Sequence, residues 1–165
     1  MSQDSGKKVN RFQMFKLLRE AEDGTVVPLV VTGTSMMPFL FHKRSTVFLK
    51  KESNYIPRKG DIVFFMRQDS AAVMHRIVKI KKDGTLVIKG DAQRWREEIQ
   101  PIQVFARVTH IIRKKRKFSV DYKPYRIMVA LWSPFRLLHP FLAYCVHVWN
   151  RIPGKLSEIF RKKSS

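Results

Sequence analysis

Short runs of β-branched and aromatic residues, separated by turns, fill the middle of this 165-residue chain and constrain its fold more than any other feature. The hairpin signal Lys82-Asp83-Gly84-Thr85 joins two of these runs. Regular spacing of short strands predicts a mainly β fold, a coiled antiparallel β-barrel-like domain. The six runs between residues 26 and 114 read VVPLVVTG, STVFLKK, GDIVFFMR, AVMHRIVKIKK, TLVIKG and VFARVTHIIRK.

Helices are predicted on both sides of the β region. In residues 10–22, NRFQMFKLLREAE, the apolar side chains recur at helical spacing. Residues 127–149 follow a strand-like FSVDY and form the most apolar stretch of the chain. Pro134 and Pro140 interrupt that stretch, so we expect amphipathic or apolar helices there rather than one membrane span. The predicted parts are a tail and helix (1–25), a β domain (26–117) and a basic, apolar C-terminal segment (118–165) that is expected to associate with a membrane.

The positive charge of the chain limits the kinds of partner that it is expected to bind. The chain has 33 Lys and Arg against 13 Asp and Glu, a net charge of +20, which attracts polyanions such as nucleic acid or anionic lipid. Basic runs at 113–117 and 161–163 flank the apolar stretch, an arrangement typical of a segment on an anionic membrane surface. Residues 1–11 are polar, without an apolar anchor after them. We therefore expect residues 118–165 to associate with a membrane on its cytoplasmic face, or the protein to be cytoplasmic if that segment packs on the β domain.

Metal and cofactor chemistry find no support in the sequence. Cys145 is the single cysteine, which excludes an internal disulfide and a multi-cysteine metal site. The five histidines lack the spacing and the carboxylate neighbours of a metal site, and the chain has no glycine-rich phosphate loop. We expect neither a metal nor a cofactor.

Ser35 lies in a segment with the properties of a nucleophile motif, Gly33-Thr34-Ser35-Met36-Met37-Pro38, directly after the first predicted strand. Gly33 permits close approach of an extended chain, and Ser35 begins the turn out of the strand. Such a serine has an exposed hydroxyl beside free backbone N–H groups, as an acyl-transfer nucleophile and an oxyanion hole require. A serine before a turn more often only caps local structure, so this motif depends on support from the rest of the chain.

That support comes from the order of four further segments: GDIV at 60–63, MHRIV at 74–78, KGDA at 89–92, and the strand at 104–112. Together with the serine motif they resemble the conserved boxes of type I signal peptidases over about residues 26–113. The resemblance implies a core of the signal peptidase and LexA type, and a serine endopeptidase that cleaves a signal or leader peptide. His75-Arg76 stands in the box of the general base, so the chain is similar to the Ser–His branch of the endoplasmic reticulum.

The resemblance implies that Ser35 attacks a peptide carbonyl while His75 takes its proton. An imidazole with its usual pKa of about 6.5 suits a base at neutral pH. The Ser35 backbone N–H is the expected oxyanion donor. The aspartate that supports the site in that branch is missing, so Glu97 or Glu98 would have to replace it.

The remaining site residues have two interpretations each. Asp91 either supports the site or holds the geometry of its loop. Met36, Met37 and Phe39 either line shallow pockets for an extended polypeptide substrate, cut after a small residue, or lie in the core.

Three other interpretations remain open. A self-cleaving SOS-type repressor would need a helix-turn-helix, for which residues 1–25 are too short, and the chain has no Ala-Gly bond to cut. A basic β-barrel could bind nucleic acid, but the charge clusters beside the apolar segment, so no nucleic-acid partner is expected. A catalytically degenerate membrane-surface scaffold would explain the missing aspartate.

Overall fold

Eight strands form one antiparallel sheet in the computed structural model, which describes residues 11–67 and 71–132. Their order is β1-β2-β7-β3-β4-β5-β6, and β8 pairs with β7. The predicted mainly β class is therefore confirmed. Within the described residues β1 and β6 end the order without pairing with each other, so the sheet is not closed into a barrel. The strands are β1 Val26–Val30, β2 Ser45–Lys50, β3 Ile62–Met66, β4 Ala72–Ile80, β5 Leu86–Lys89, β6 Glu97–Ile99, β7 Val104–Arg113 and β8 Arg116–Ser119.

Each of the six predicted runs contains a strand, and two short strands, β6 and β8, depart from the prediction. β6 is three residues long and reads EEI, which carries no alternating apolar signal. β8 begins at Arg116, earlier than the predicted FSVDY, because Lys114 and Lys115 form a tight turn with positive φ. That turn brings Arg113 opposite Arg116 and makes β7–β8 a hairpin.

The helix α1, Arg11–Glu20, packs on the sheet through one side. Met14 and Leu18 are buried in the core, and Phe15 meets Phe105 edge to face with ring centroids 4.6 Å apart. At its C-terminal end, Lys51 Nζ donates to the carbonyls of Arg19 and Ala21, which satisfies groups that the helix leaves open. These contacts favour a docked helix over one on a membrane surface.

Two apolar clusters cover the two faces of the sheet. Successive residues of a strand point to opposite faces, so β3 contributes Ile62 and Phe64 to one cluster and Val63 and Phe65 to the other. The same alternation sends His75 and Arg76 of β4 to opposite sides. His75 lies 6.1 Å from Phe65, ring centroid to ring centroid, whereas Arg76 meets the helix described next.

The helix α2, Lys123–Trp132, covers the Arg76 side of the sheet. Its Tyr125 is buried in the same cluster as α1 and β3, so the chain on both sides of the expected boundary after Lys117 shares one core. Among the described residues, no helix has the length and apolar character needed to cross a membrane. The other C-terminal helices predicted from the sequence fall in residues 133–165, outside the described part.

Candidate active site

The loop that carries Ser35 connects β1 to β2, and hydrogen bonds hold the residues before Ser35 in place. The Val31 N–H donates to the carbonyl of Ser45, and the Gly33 N–H donates to His42 Nδ1 over 2.9 Å. Gly33 has φ +91°, a backbone conformation that residues with a side chain rarely adopt, so glycine is needed at this bend. The bend turns the chain out of β1 and leaves Ser35 half-buried.

The Ser35 carbonyl is fixed by the segment after β5. The Ala92 N–H donates to Ser35 O over 2.9 Å. A Cβ added to Gly90 would lie only 2.6 Å from the same oxygen, closer than real Cβ atoms approach. The Lys89-Gly90-Asp91-Ala92 segment therefore holds the serine loop, and Gly90 provides the room for it.

His75 lies on β4, the strand that pairs with β5. β4 and β5 pair from Ile80↔Leu86 to Arg76↔Lys89, so the ladder ends one residue away from His75 on β4 and one residue away from Gly90 on the other strand. The segment that holds the Ser35 loop therefore continues from the strand that pairs with β4, which carries His75. Within the described residues no hydrogen bond joins Ser35 Oγ to the His75 imidazole. Catalytic hydrogen bonds are often long before substrate binds and tighten in the complex.

Glu97, at the start of β6, is the carboxylate nearest to His75. Its Oε1 lies 3.4 Å from His75 Nδ1, which is buried and has no hydrogen-bond partner among the described residues. Arg67, just after β3, holds the same carboxylate with two parallel hydrogen bonds from Nε and Nη2. Of the two glutamates predicted to support His75, the contacts favour Glu97, because Glu98 pairs with the exposed Lys81 at 2.6 Å.

Burial lowers the pKa of His75 to about 4, because the charged imidazolium is costly in an apolar site. The negative charge of Glu97 acts in the opposite direction, Arg67 lowers the pKa further, and Asp91 raises it. The usual imidazole pKa of about 6.5, which the sequence analysis used, therefore does not apply to His75. At neutral pH His75 is uncharged, which is the state a general base needs.

Asp91 is engaged with Arg76, not with His75. Arg76 donates to both Asp91 oxygens, at 2.8 and 2.7 Å, and also to the Gly60 carbonyl and the Tyr125 hydroxyl. Burial opposes the charge of Arg76, but the adjacent carboxylate outweighs it and raises the pKa of Arg76. These contacts favour the interpretation in which Asp91 holds the loop after β5.

A cleft of about 30 Å³ opens beside Ser35. One side of the cleft is formed by residues 29–33, at the end of β1 and directly after it. The other side is formed by Val73 and Met74 of β4. β5 pairs with β4 only from Arg76 onward, so on that side no described strand covers residues 72–75. The cleft has room for about one or two waters. An extended chain that entered it would find the unpaired edge of β4 on one side.

The three apolar residues after Ser35 lie in different surroundings, although all are buried. Met36 lines the cleft and belongs to the core as well. Phe39 points away from the cleft and packs against Tyr125 and Trp132 of α2. Met37 is not among the residues that line the cleft.

The backbone N–H of Ser35 donates no hydrogen bond within the described residues, so it is available as an oxyanion donor. In the same part of the chain, no three His, Cys, Asp or Glu side chains lie close enough to hold a metal ion.

Three residues that contact the candidate site were not predicted from the sequence to do so: Arg67, Gly90 and His42. Arg67 and Glu97 are 30 positions apart, and nothing local marks them as partners. His42 is exposed and accepts a hydrogen bond from the Gly33 N–H. Only Gly90 had a signal, since it lies within the KGDA segment.

Comparisons with protein-family models and with curated proteins found no match for this sequence.

Proposed function

We propose that this protein is a serine endopeptidase that resembles type I signal peptidases and cleaves a signal or leader peptide. One observation carries the proposal: the segment 89–92, which holds the Ser35 carbonyl through the Ala92 N–H, directly follows the pairing of β5 with β4, the strand that carries His75. A buried neutral imidazole, a serine hydroxyl and a backbone N–H that donates no other hydrogen bond are the parts that acyl transfer requires.

In this mechanism Ser35 Oγ attacks the carbonyl carbon of the scissile bond while His75 Nε2 takes the hydroxyl proton. The Ser35 N–H donates to the developing oxyanion. When the tetrahedral intermediate collapses, the C–N bond breaks and His75 returns the proton to the leaving amine. Water then attacks the acyl ester with His75 again as base, which releases the acid product and restores Ser35.

Glu97 orients the base. With its Oε1 3.4 Å from Nδ1, a small rotation of the ring would form an Nδ1–H···Oε1 hydrogen bond and leave Nε2 free to accept the serine proton. The imidazolium formed during the reaction would be stabilised by the same carboxylate. Glu97 thus takes the place of the aspartate that the sequence lacks.

We propose a core of the signal peptidase and LexA type, and the positions of the motifs relative to the strands support it. The serine motif follows β1, GDIV leads into β3, MHRIV lies in β4, and KGDA follows β5. The substrate would enter the cleft as an extended strand along residues 72–74, and the small volume of the cleft favours a small side chain at the cut.

The test is cleavage of candidate precursor peptides, followed by mass spectrometry. His75→Ala should reduce cleavage by about a thousandfold or more, since an unassisted serine hydroxyl is a weak nucleophile. His110→Ala is the matched control, because His110 packs against Phe48 in the β2–β7 region and has no contact with Ser35. Equal loss in both variants, or none in His75→Ala, would reject His75 as the base.

A catalytically degenerate scaffold is the second candidate. It is favoured by the absence of a hydrogen bond on His75 Nδ1 and of one between Ser35 and His75 within the described residues. Under that interpretation the wild-type protein cuts none of the precursors and binds them unchanged.

A further inference from the structure

The outward side of α2 is apolar, although it faces solvent. Tyr125 and Trp132 face the domain, where the Trp132 indole N–H donates to the Asp91 carbonyl. Ile127, Met128 and Leu131 lie on the other side and are 59%, 51% and 62% exposed. A surface helix normally places polar residues there, and one that is apolar all round is normally covered. The residues at positions 127, 128 and 131 are neighbours on the helix, so they form one continuous patch.

A groove of about 410 Å³ runs beside this patch, between α2 and the strands β4 and β5. Its helix wall is apolar, and its other wall carries cationic side chains. Arg126, on the flank of α2, donates to the Lys59 carbonyl and to Asp121, which places its guanidinium at the rim. Four cationic residues line the groove, of which Arg76 and Lys89 are buried and Lys59 is exposed. Arg76 is paired with Asp91, and Arg126 is paired with Asp121.

We propose that α2 docks on an anionic phospholipid surface, with Ile127, Met128 and Leu131 in the lipid and the exposed side chains of Lys59 and Lys123 at the headgroups. An apolar helix face bordered by cations is what binds at the interface of a charged bilayer. The exposed basic turn at 114–117 lies close in sequence before α2 and adds charge of the same sign. The docking does not depend on peptidase activity.

Charge argues against the other occupants of this face. A second copy would bring a net charge of +20 against an equal charge, which opposes association. Nucleic acid would satisfy the cations but leave the apolar patch in water. An anionic lipid surface would take up both the apolar patch and the exposed cations beside it. The packing of Phe39 on Tyr125 and Trp132 would then hold the Ser35 loop next to the membrane.

The experiment is vesicle flotation of the full-length protein with phosphatidylcholine vesicles, with and without phosphatidylglycerol. The test variant is Ile127→Gln/Leu131→Gln. The control variant is Ile56→Gln/Ile102→Gln, which changes two side chains that are 80% and 87% exposed outside α2. Because all four side chains are exposed, neither variant should alter the thermal melting temperature, and this is checked first.

We expect the wild type and the control to bind vesicles that contain phosphatidylglycerol, and the α2 variant to bind about tenfold more weakly or worse. Binding should weaken with added salt and be much weaker to phosphatidylcholine alone. Equal binding by the α2 variant would overturn the proposal and assign membrane contact to residues 133–165. A wild type that leaves the anionic vesicles unbound would also overturn it. So would a wild-type dimer that the α2 variant abolishes without a change in vesicle binding.

Discussion

His75 is the residue whose surroundings differ most from what its type alone would predict. Its side chain is only 2% exposed, and its Nδ1 is buried beside a carboxylate that Arg67 already binds twice. Desolvation dominates, and the guanidinium of Arg67 adds to it, so the pKa of His75 falls to about 4. A histidine in a solvated strand would instead titrate near neutrality and lose its function as a base in mild acid.

Arg67→Gln should raise the pKa of His75. The substitution removes a positive charge that lowers this pKa and leaves Glu97, which raises it, without its partner. We expect an NMR titration of the His75 ring to show a midpoint near 4 in the wild type and a higher one in the variant. If peptide cleavage is measured, kcat/KM should rise with pH through the same midpoint and be level at neutral pH.

Lys81→Gln is the matched control for Arg67→Gln, because Lys81 binds the neighbouring carboxylate Glu98. It should leave the His75 midpoint where it is. An Arg67→Gln titration that coincides with the wild type would show that Arg67 does not act on His75. The ring titration needs no substrate, so this result is independent of whether the protein is a peptidase.

At the scale of elements, the site depends on how closely the segment after β5 approaches the serine loop. Gly90 is the point of contact between them, since any side chain there would meet both Ser35 O and Gln93 Oε1 at 2.6 Å. The Gln93 side chain can move aside, whereas the Ser35 carbonyl is held by the Ala92 N–H. The approach therefore fixes the position of Ser35 relative to β4.

Gly90→Ala should displace the serine loop and reduce cleavage by about tenfold or more, because a shift of about an ångström in a catalytic group is costly. The measurement is the initial rate of precursor cleavage, together with the chemical shift of the Ser35 amide. Gln93→Ala serves as the control, since it removes the second contact and keeps the glycine. If Gln93→Ala is as damaging as Gly90→Ala, the effect comes from Gln93 and not from the Ser35 carbonyl.

The strands were predictable where their signal is local, and the site was predictable where a motif names it. β2, β3, β4 and β7 are runs of β-branched and aromatic residues, which alternate or are buried on both faces. β6 has no such signal: it is held by pairing with β5, a tertiary contact. For the same reason the sequence left Glu97 and Glu98 equal, because only the register Ile88↔Glu97 decides which one turns toward His75.

At the scale of the whole molecule, the buried pair of Arg76 and Asp91 joins the sheet, the loop after β5 and α2. Its side chains are only 4% and 7% exposed. Arg76 also lies over the rings of Phe39 and Tyr125, at 5.6 and 5.8 Å from their centroids. Loss of one partner would leave the other charge buried and unpaired.

Arg76→Met should lower the free energy of unfolding by about 3–5 kcal/mol. The double variant Arg76→Met/Asp91→Leu should recover part of that loss, because it leaves no unpaired charge in the core. Urea unfolding followed by tryptophan fluorescence measures both. Additive losses in the double variant would mean that the two residues stabilise the fold separately.

The central claim is that Ser35 is a nucleophile that His75 activates, and its most direct measurement is precursor cleavage by Ser35→Ala. Thr34→Ala is the control, because Thr34 is the exposed neighbour in the same loop. We predict that wild type and Thr34→Ala convert a cognate precursor into two products of defined mass. Ser35→Ala should keep the wild-type melting temperature and give no product. Cleavage by Ser35→Ala at the wild-type rate would contradict the account.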